Sequence, residues 1–227
     1  DAPKSGFLPA FEYFWNAWAS ARKDILLIVC GSATSWMVKN ILRNRGGLHN
    51  RLNEQIHLQP FNLHECELYC QSIGIPMTRA EIIEAYMIFG GVPFYWSLLD
   101  RSLSLSQNID NMFFGRNPKL KNEFSELYAS LFKQPEIYIN IITTLGKKKV
   151  GMTREEIVEN AKISSSGLLT RYLEDLENCG FIRRYQAIGS KRKGAIFQLI
   201  DNYTLFYFKF IEPRKITDAN YWSKIQS

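Results

Sequence analysis

Metal chemistry is the first reaction class that the residue types raise. The chain has four cysteines, Cys30, Cys66, Cys70 and Cys179, and three histidines, His49, His57 and His64. A structural zinc site needs four such ligands at close spacings. No Cys-x-x-Cys pair is present. Cys66 and Cys70, four apart, share a helix face but lack companion ligands. His57 and His64 fall on different elements, without the glutamate–histidine helix pair of a zinc protease. The cysteines therefore read as buried thiols of a reducing compartment, and the histidines as structural or surface groups. No serine–histidine–aspartate or cysteine–histidine set follows from the spacing. Ser32 is more pointed. It follows the apolar run Leu26-Leu27-Ile28-Val29-Cys30-Gly31. A hydroxyl at a strand's carboxyl end faces the crevice where open α/β sheets bind ligands. The same hydroxyl, or that of Thr34, equally serves as the N-cap of a helix over 35–44.

A second group of residues suits nucleic acid. Thr153-Arg154-Glu155-Glu156 is a capping box that opens a short helix ending at Ala161. Ser164-Ser165-Ser166 caps a longer helix with Leu168, Leu169, Tyr172, Leu173 and Leu176 at helical spacing, ended by Gly180. Strands are expected over 181–188 and 195–200, joined by the tip Gly189-Ser190-Lys191-Arg192-Lys193-Gly194. Helix, helix and two-stranded wing make a winged helix-turn-helix. In a complex with duplex DNA, Ser165, Ser166, Thr170 and Arg171 would face the major groove, while Lys191, Arg192 and Lys193 would grip phosphate. Arg183 and Arg184 add positive charge. Against this, the second helix carries Glu174, Asp175 and Glu177, and residues 154–212 hold nine basic and eight acidic side chains. Strong DNA binders are usually more basic.

The elements that must position these residues form a mixed pattern. Residues 7–22 place Phe11, Phe14, Trp15 and Trp18 at helical spacing. The run 24–31 is nearly all apolar, as suits a parallel strand buried on both faces. A helix over 35–44 and an alternating strand over 54–59 follow, so 1–61 reads as a piece of an α/β sheet. Two strands cannot make such a layer alone. From residue 62 the strand signal stops. Helices are expected over 63–72, 78–89, 93–99 and 105–114, then 118–132 and 135–145. Thr78-x-x-Glu81 is a capping box for the second of these. The segment Ile88-Phe89-Gly90-Gly91-Val92-Pro93 stops one helix with glycine and restarts another through proline. The aromatic run from Tyr203 to Phe210 is expected to dock back on the sheet and helices that precede it.

Composition sets the outer limits. The 227 residues are 46% hydrophobic and 14% aromatic, enough for two or three small cores. The net charge of +6 and pI near 9.1 permit an acidic partner without demanding one. No apolar run is long enough to span a membrane and no signal peptide opens the chain, which points to the cytoplasm.

In this order the stretches resemble the archaeal-type ATPases of the AAA+/STAND class of P-loop NTPases. The resemblance rests on Leu26 to Ser32, on Gly47-Leu48-His49-Asn50-Arg51-Leu52 through Pro60-Phe61-Asn62-Leu63, on Gly90-Gly91-Val92-Pro93, on the winged-helix pattern and on Phe206-Tyr207-Phe208-Lys209-Phe210. It implies that Ser32 is the polar sensor near the γ-phosphate. Arg51 is implied as an arginine finger reaching a neighbour's phosphate, with Arg43 and Arg45 as weaker candidates; a surface pair with Glu54 is the plainer role for it. Gly91 and Pro93 become a lid hinge beside the adenine pocket, where the residues alone read only as a helix–helix turn. The family's Gly-x-x-x-x-Gly-Lys-Ser/Thr loop and the strand ending in Asp-Glu, which hold ATP and Mg²⁺, are absent. By the family pattern Asp1 lies just past that strand, and some relatives carry a nuclease-like domain near where this chain stops. The expectation is an internal fragment of a larger ATPase: an α/β remnant of the P-loop core over 1–61, a helical lid over 62–117, a winged helix over 118–213 and a tail over 214–227, mostly helical overall. By itself it should bind no ATP and hydrolyse none. Its partners would be ATP in the full-length protein, a protein partner or its own missing domains, and duplex DNA if the wing is used. A pure interaction module is the third reading.

Overall fold

A computed structural model describes residues 5–31, 41, 48, 51–164, 167–186, 194–214 and 218–225. Ser32, Arg43, Arg45, His49, Ser165, Ser166, Lys191, Arg192 and Lys193 lie outside these, as does nearly all of the helix expected over 35–44. The chain divides into two compact units, Asp1–His57 and Leu58–Ser227.

The first unit opens with helix α1, Phe7–Ala17, and a 3-10 turn, Ala19–Ala21. Its aromatics pair along the helix: Phe7 stacks on Phe11 at 5.8 Å and Phe14 tilts against Trp18 at 5.4 Å. The Arg22 guanidinium covers the Trp18 ring at 4.9 Å. The strands expected over 24–31 and 54–59 do not form among the described residues. Leu26 is 86% exposed and Ile56 78%. A strand is defined by its ladder, and neither segment has a described neighbour with which to share one. The apolar run alone is therefore not a strand.

The second unit is helical apart from one small sheet. Helix α2 is Leu63–Ser72, α3 Arg79–Phe89, α4 Pro93–Ser97 and α5 Leu105–Ile109, which runs on as a π-helical turn, Asp110–Phe114. Helix α6 is Glu123–Leu131 and α7 Pro135–Gly146. The boxes expected at Thr78/Glu81 and Thr153/Glu156 are formed in both directions, with Thr78 N–H to Glu81 and Thr153 N–H to Glu156 each 2.8 Å. Two more, Asn62/Glu65 and Ser104/Gln107, start α2 and α5. Each satisfies donors that a helix start leaves without partners.

Next come β1, Met152–Thr153, α8, Arg154–Ala161, and α9, Gly167–Asn178, then β2, Ile182–Gln186, and β3, Ala195–Leu199. The sheet is antiparallel in the order β1-β3-β2, with Met152 opposite Phe197 and Ile182 opposite Leu199. Helix α10, Asn202–Phe206, continues as a π-helical turn, Tyr207–Ile211, and α11, Tyr221–Ile225, is the last described element. No described helix is long and apolar enough to cross a membrane.

One hydrophobic core runs from Cys66 to Trp222. The aromatic run after β3 docks back as expected. Tyr207 lies flat on Phe124 of α6 at 4.1 Å and Tyr203 contacts Tyr95 of α4 at 5.4 Å. Phe132 and Tyr138 stack at 3.8 Å, and Tyr128 stacks on Phe181 at 4.8 Å. These rings bury large apolar area between α6, α7 and the sheet.

Candidate functional site

The site with the most determined geometry is the elbow between α3 and α4. Gly90 closes α3 at φ 62° and ψ −155°, a region essentially reserved for glycine. Its N–H donates to the Tyr86 carbonyl at 2.9 Å, and its own carbonyl accepts the Trp96 indole N–H at 2.9 Å. Trp96 is fully buried and meets Phe89 edge-on at 6.0 Å. Gly91 is held differently. Its carbonyl accepts the Phe61 N–H at 2.7 Å, and a Cβ at position 91 would overlap the Phe61 backbone. Val92 is extended, as the residue before a proline must be, and Pro93 opens α4. Asn202 of α10 donates to the Tyr86 carbonyl at 2.9 Å. The elbow thus joins the entering chain at Phe61, α3, α4 and α10. Phe94, next to it, stays 53% exposed.

Next to the elbow, Tyr95 of α4 begins a seam of buried hydroxyls and half-buried carboxylates. The Tyr95 hydroxyl donates to Glu123 at 2.7 Å, and Tyr128 and Thr204 share a hydrogen bond at 3.3 Å. Asp201 caps α10 by accepting the Thr204 N–H at 2.8 Å. Burial pushes the Glu123 carboxyl above its usual range, only partly opposed by the Tyr95 hydrogen bond. Desolvation raises Asp201 likewise, against the bonds from Thr204. Burial, then the Glu123 contact, raises the Tyr95 hydroxyl too.

The other candidates scatter. Arg51 is exposed, and among the described residues no ion pair joins it to Glu54. Thr170 and Arg171 stand on the exposed face of α9, opposite the buried Leu169, Leu173 and Leu176. The Thr170 hydroxyl accepts from Arg154 at 3.0 Å. Two of the three acids on α9 are engaged within the molecule. Asp175 is buried, accepts the Tyr138 hydroxyl at 2.7 Å and lies 4.0 Å from Arg171. Glu177 pairs with Arg184 of β2 at 3.5 Å. The count of charges overstates how much negative charge α9 shows to solvent, because spacing does not reveal the burial of Asp175 against Tyr138.

Cys66 and Cys70 are buried, free thiols, with Cys70 Sγ 3.9 Å from Met77 Sδ, whereas Cys30 is exposed and Cys179 half-buried, contrary to the expectation of four buried thiols. Burial, helped by Cys70, pushes the Cys66 thiol up to about 12, which leaves it unreactive at neutral pH. His64 is exposed, 3.8 Å from Glu67. Among the described residues no three His, Cys, Asp or Glu side chains could hold a metal ion.

No protein-family model and no curated protein matches the chain. Among solved structures it is similar to the Walker-type ATPase PABY2304 of Pyrococcus abyssi, with a TM-score of 0.57 and 14% identity. The match takes in 92% of this chain and 59% of that one. At this identity the likeness is one of fold: the chain is built like part of a Walker-type ATPase.

Two outcomes are expected. Gly91→Ala forces the elbow off Phe61 and costs about 1–3 kcal/mol in chemical denaturation, with faster amide exchange at Phe61 as its local mark. Glu123→Gln keeps an acceptor for Tyr95 and removes the raised acid. A raised acid stabilises the fold below the ordinary carboxylate range and loses that contribution as pH climbs through its folded value. The variant should therefore equal or exceed the wild type in Tm at about pH 7, and the difference should shrink towards about pH 4. A constant difference across that range would show that Glu123 does not titrate as argued.

Proposed function

We propose that the chain is part of an AAA+/STAND-type ATPase, a switch driven by ATP binding and hydrolysis. In this reading 1–61 is the end of a P-loop core, 62–117 forms the lid and 118–213 a winged helix. Ser32 is the γ-phosphate sensor, Arg51 the weaker arginine-finger candidate, and Gly91 and Pro93 the lid hinge near adenine. The observation that carries the reading is the structural likeness to a Walker-type ATPase over 92% of the chain. The elbow supports it, because its backbone joins the chain leaving the first unit to two helices at one point. The chain has neither the phosphate loop with its lysine nor the Asp-Glu strand, and its described residues hold no metal-binding group. ATP and Mg²⁺ are accordingly assigned to residues beyond this chain, and no hydrolytic step to this chain alone.

The test is titration of fluorescent ATP with Mg²⁺ against this chain and against a form extended upstream through a phosphate loop. Binding by the extended form alone is expected. Binding by neither would sink the ATPase reading.

A second reading, a DNA-binding regulator, gains from the inward turn of Asp175, which takes one acid off the exposed face of α9. The helix order and the β1-β3-β2 sheet suit a winged helix whose α9 enters the major groove. If so, duplex affinity falls steeply with salt. Replacing Lys191, Arg192 and Lys193 with alanine then lowers both affinity and salt slope, the slope by about one unit for each phosphate that is no longer neutralised. Equal, shallow salt dependence for both proteins would leave the wing to protein contacts.

A further inference from the structure

Helix α11 has five residues and one buried side chain, Trp222. A helix so short cannot hold itself together in water. It exists only because it is docked, and two contacts dock it.

The first is Asp110, which is 3% exposed at the start of the π-helical turn after α5. Its carboxylate accepts the Trp222 N–H at 2.7 Å, the Ser223 N–H at 3.1 Å and the Ser223 hydroxyl at 2.6 Å. Among the described residues, every hydrogen bond its carboxylate accepts comes from residues 222 and 223. The second is the Trp222 ring. It meets Phe206 at 5.2 Å and Phe210 at 5.0 Å edge-on and lies parallel to Phe114 at 6.3 Å. Its indole N–H donates to Glu84 of α3 at 3.3 Å. Arg214 closes the arrangement, lying over Phe114 at 5.2 Å and over Tyr221, with its Nε donating to the Phe210 carbonyl at 2.7 Å. The contacts come from α3, from α5 with its turn, and from α10 with its turn. Residues 218–225 thus pin together helices that lie far apart in sequence.

We propose that residues 218–225 are a releasable latch with Asp110 as its catch. Docked, the segment is helical. Released, it has no helix to keep, so the two states are discrete. Release uncovers faces of Phe114, Phe206 and Phe210, while Phe113 stays packed on Phe206 of α10 at 5.2 Å. It also gives up the three hydrogen bonds to the Asp110 carboxylate and exposes apolar rings, which is why the closed state dominates. A negative charge at position 223 opposes that carboxylate directly and favours release. The latch stands whether or not the chain belongs to a nucleotide switch.

Hydrogen exchange of the intact chain tests it, comparing wild type, Asp110→Asn and Ser223→Asp. In the wild type, amides of 221–225 exchange faster than those of α7 yet well below the unstructured rate. Both variants speed exchange in 221–225 by about tenfold or more, the loss of a charge-assisted hydrogen bond, and leave α7 unchanged. Should either variant fail to fold, Ser223→Ala removes a single bond and gives a smaller acceleration confined to the same residues. The latch is overturned if 221–225 exchange in step with α7 in every folded protein. It is equally overturned if they are unprotected in the wild type, or if a variant accelerates α7 as much as the tail.

Discussion

The turn from α3 to α4 is fixed by one backbone contact, the Phe61 N–H on the Gly91 carbonyl. The chain enters at Phe61, so close to the elbow that position 91 has no room for a side chain. The preceding residue must also be glycine, because α3 ends with φ 62° and ψ −155°. These two requirements differ in kind. Gly90 answers a torsional constraint and Gly91 a steric one, and only together do they let α3 stop, α4 begin and the entering chain cross between them. Trp96 then locks the turn through the Gly90 carbonyl, and Asn202 brings α10 to the last turn of α3.

From that junction the aromatic core carries the arrangement to the small sheet. Tyr95 touches Tyr203, Tyr207 lies on Phe124, and Tyr128 stacks on Phe181 just ahead of β2. The helices around the elbow and the three-stranded sheet therefore share one interior. Close-packed interiors move as pieces and do not deform smoothly. The half-buried Glu123 and Asp201 lie beside these rings, and desolvation raises both carboxyls.

The surface of α9 shows how charge is redistributed by folding. Glu174, Asp175 and Glu177 occur within four residues and look like a barrier to phosphate. In the folded chain Asp175 turns inward to Tyr138 and Glu177 meets Arg184 across the sheet edge. Tyr138 lies 37 residues before Asp175, so spacing cannot pair them. Asp110 is the same case on a larger scale, since its hydrogen-bond partners lie over a hundred residues later.

Local signals were legible from the residues in order. Capping boxes at Thr78 and Thr153 and the Gly-Gly-Val-Pro turn depend on neighbours within a few residues, and each forms as read. Strands Ile182–Gln186 and Ala195–Leu199 fall inside the expected 181–188 and 195–200, and the aromatic run docks, on partners that its own pattern could not name. Asn62 and Ser104 carry the same cap chemistry and went unrecognised, and the two-residue β1 is too short to show a period. The apolar run 24–31 misled for a different reason: hydrophobicity marks a segment that can be buried, whereas a strand also needs a neighbour for its backbone groups. Tertiary structure alone decided the absence of a side chain at position 91, the inward turn of Asp175 and the capture of Trp222 by Asp110. Each depends on backbone or charge brought together across long stretches of chain, and a pattern read along one dimension contains no such distances.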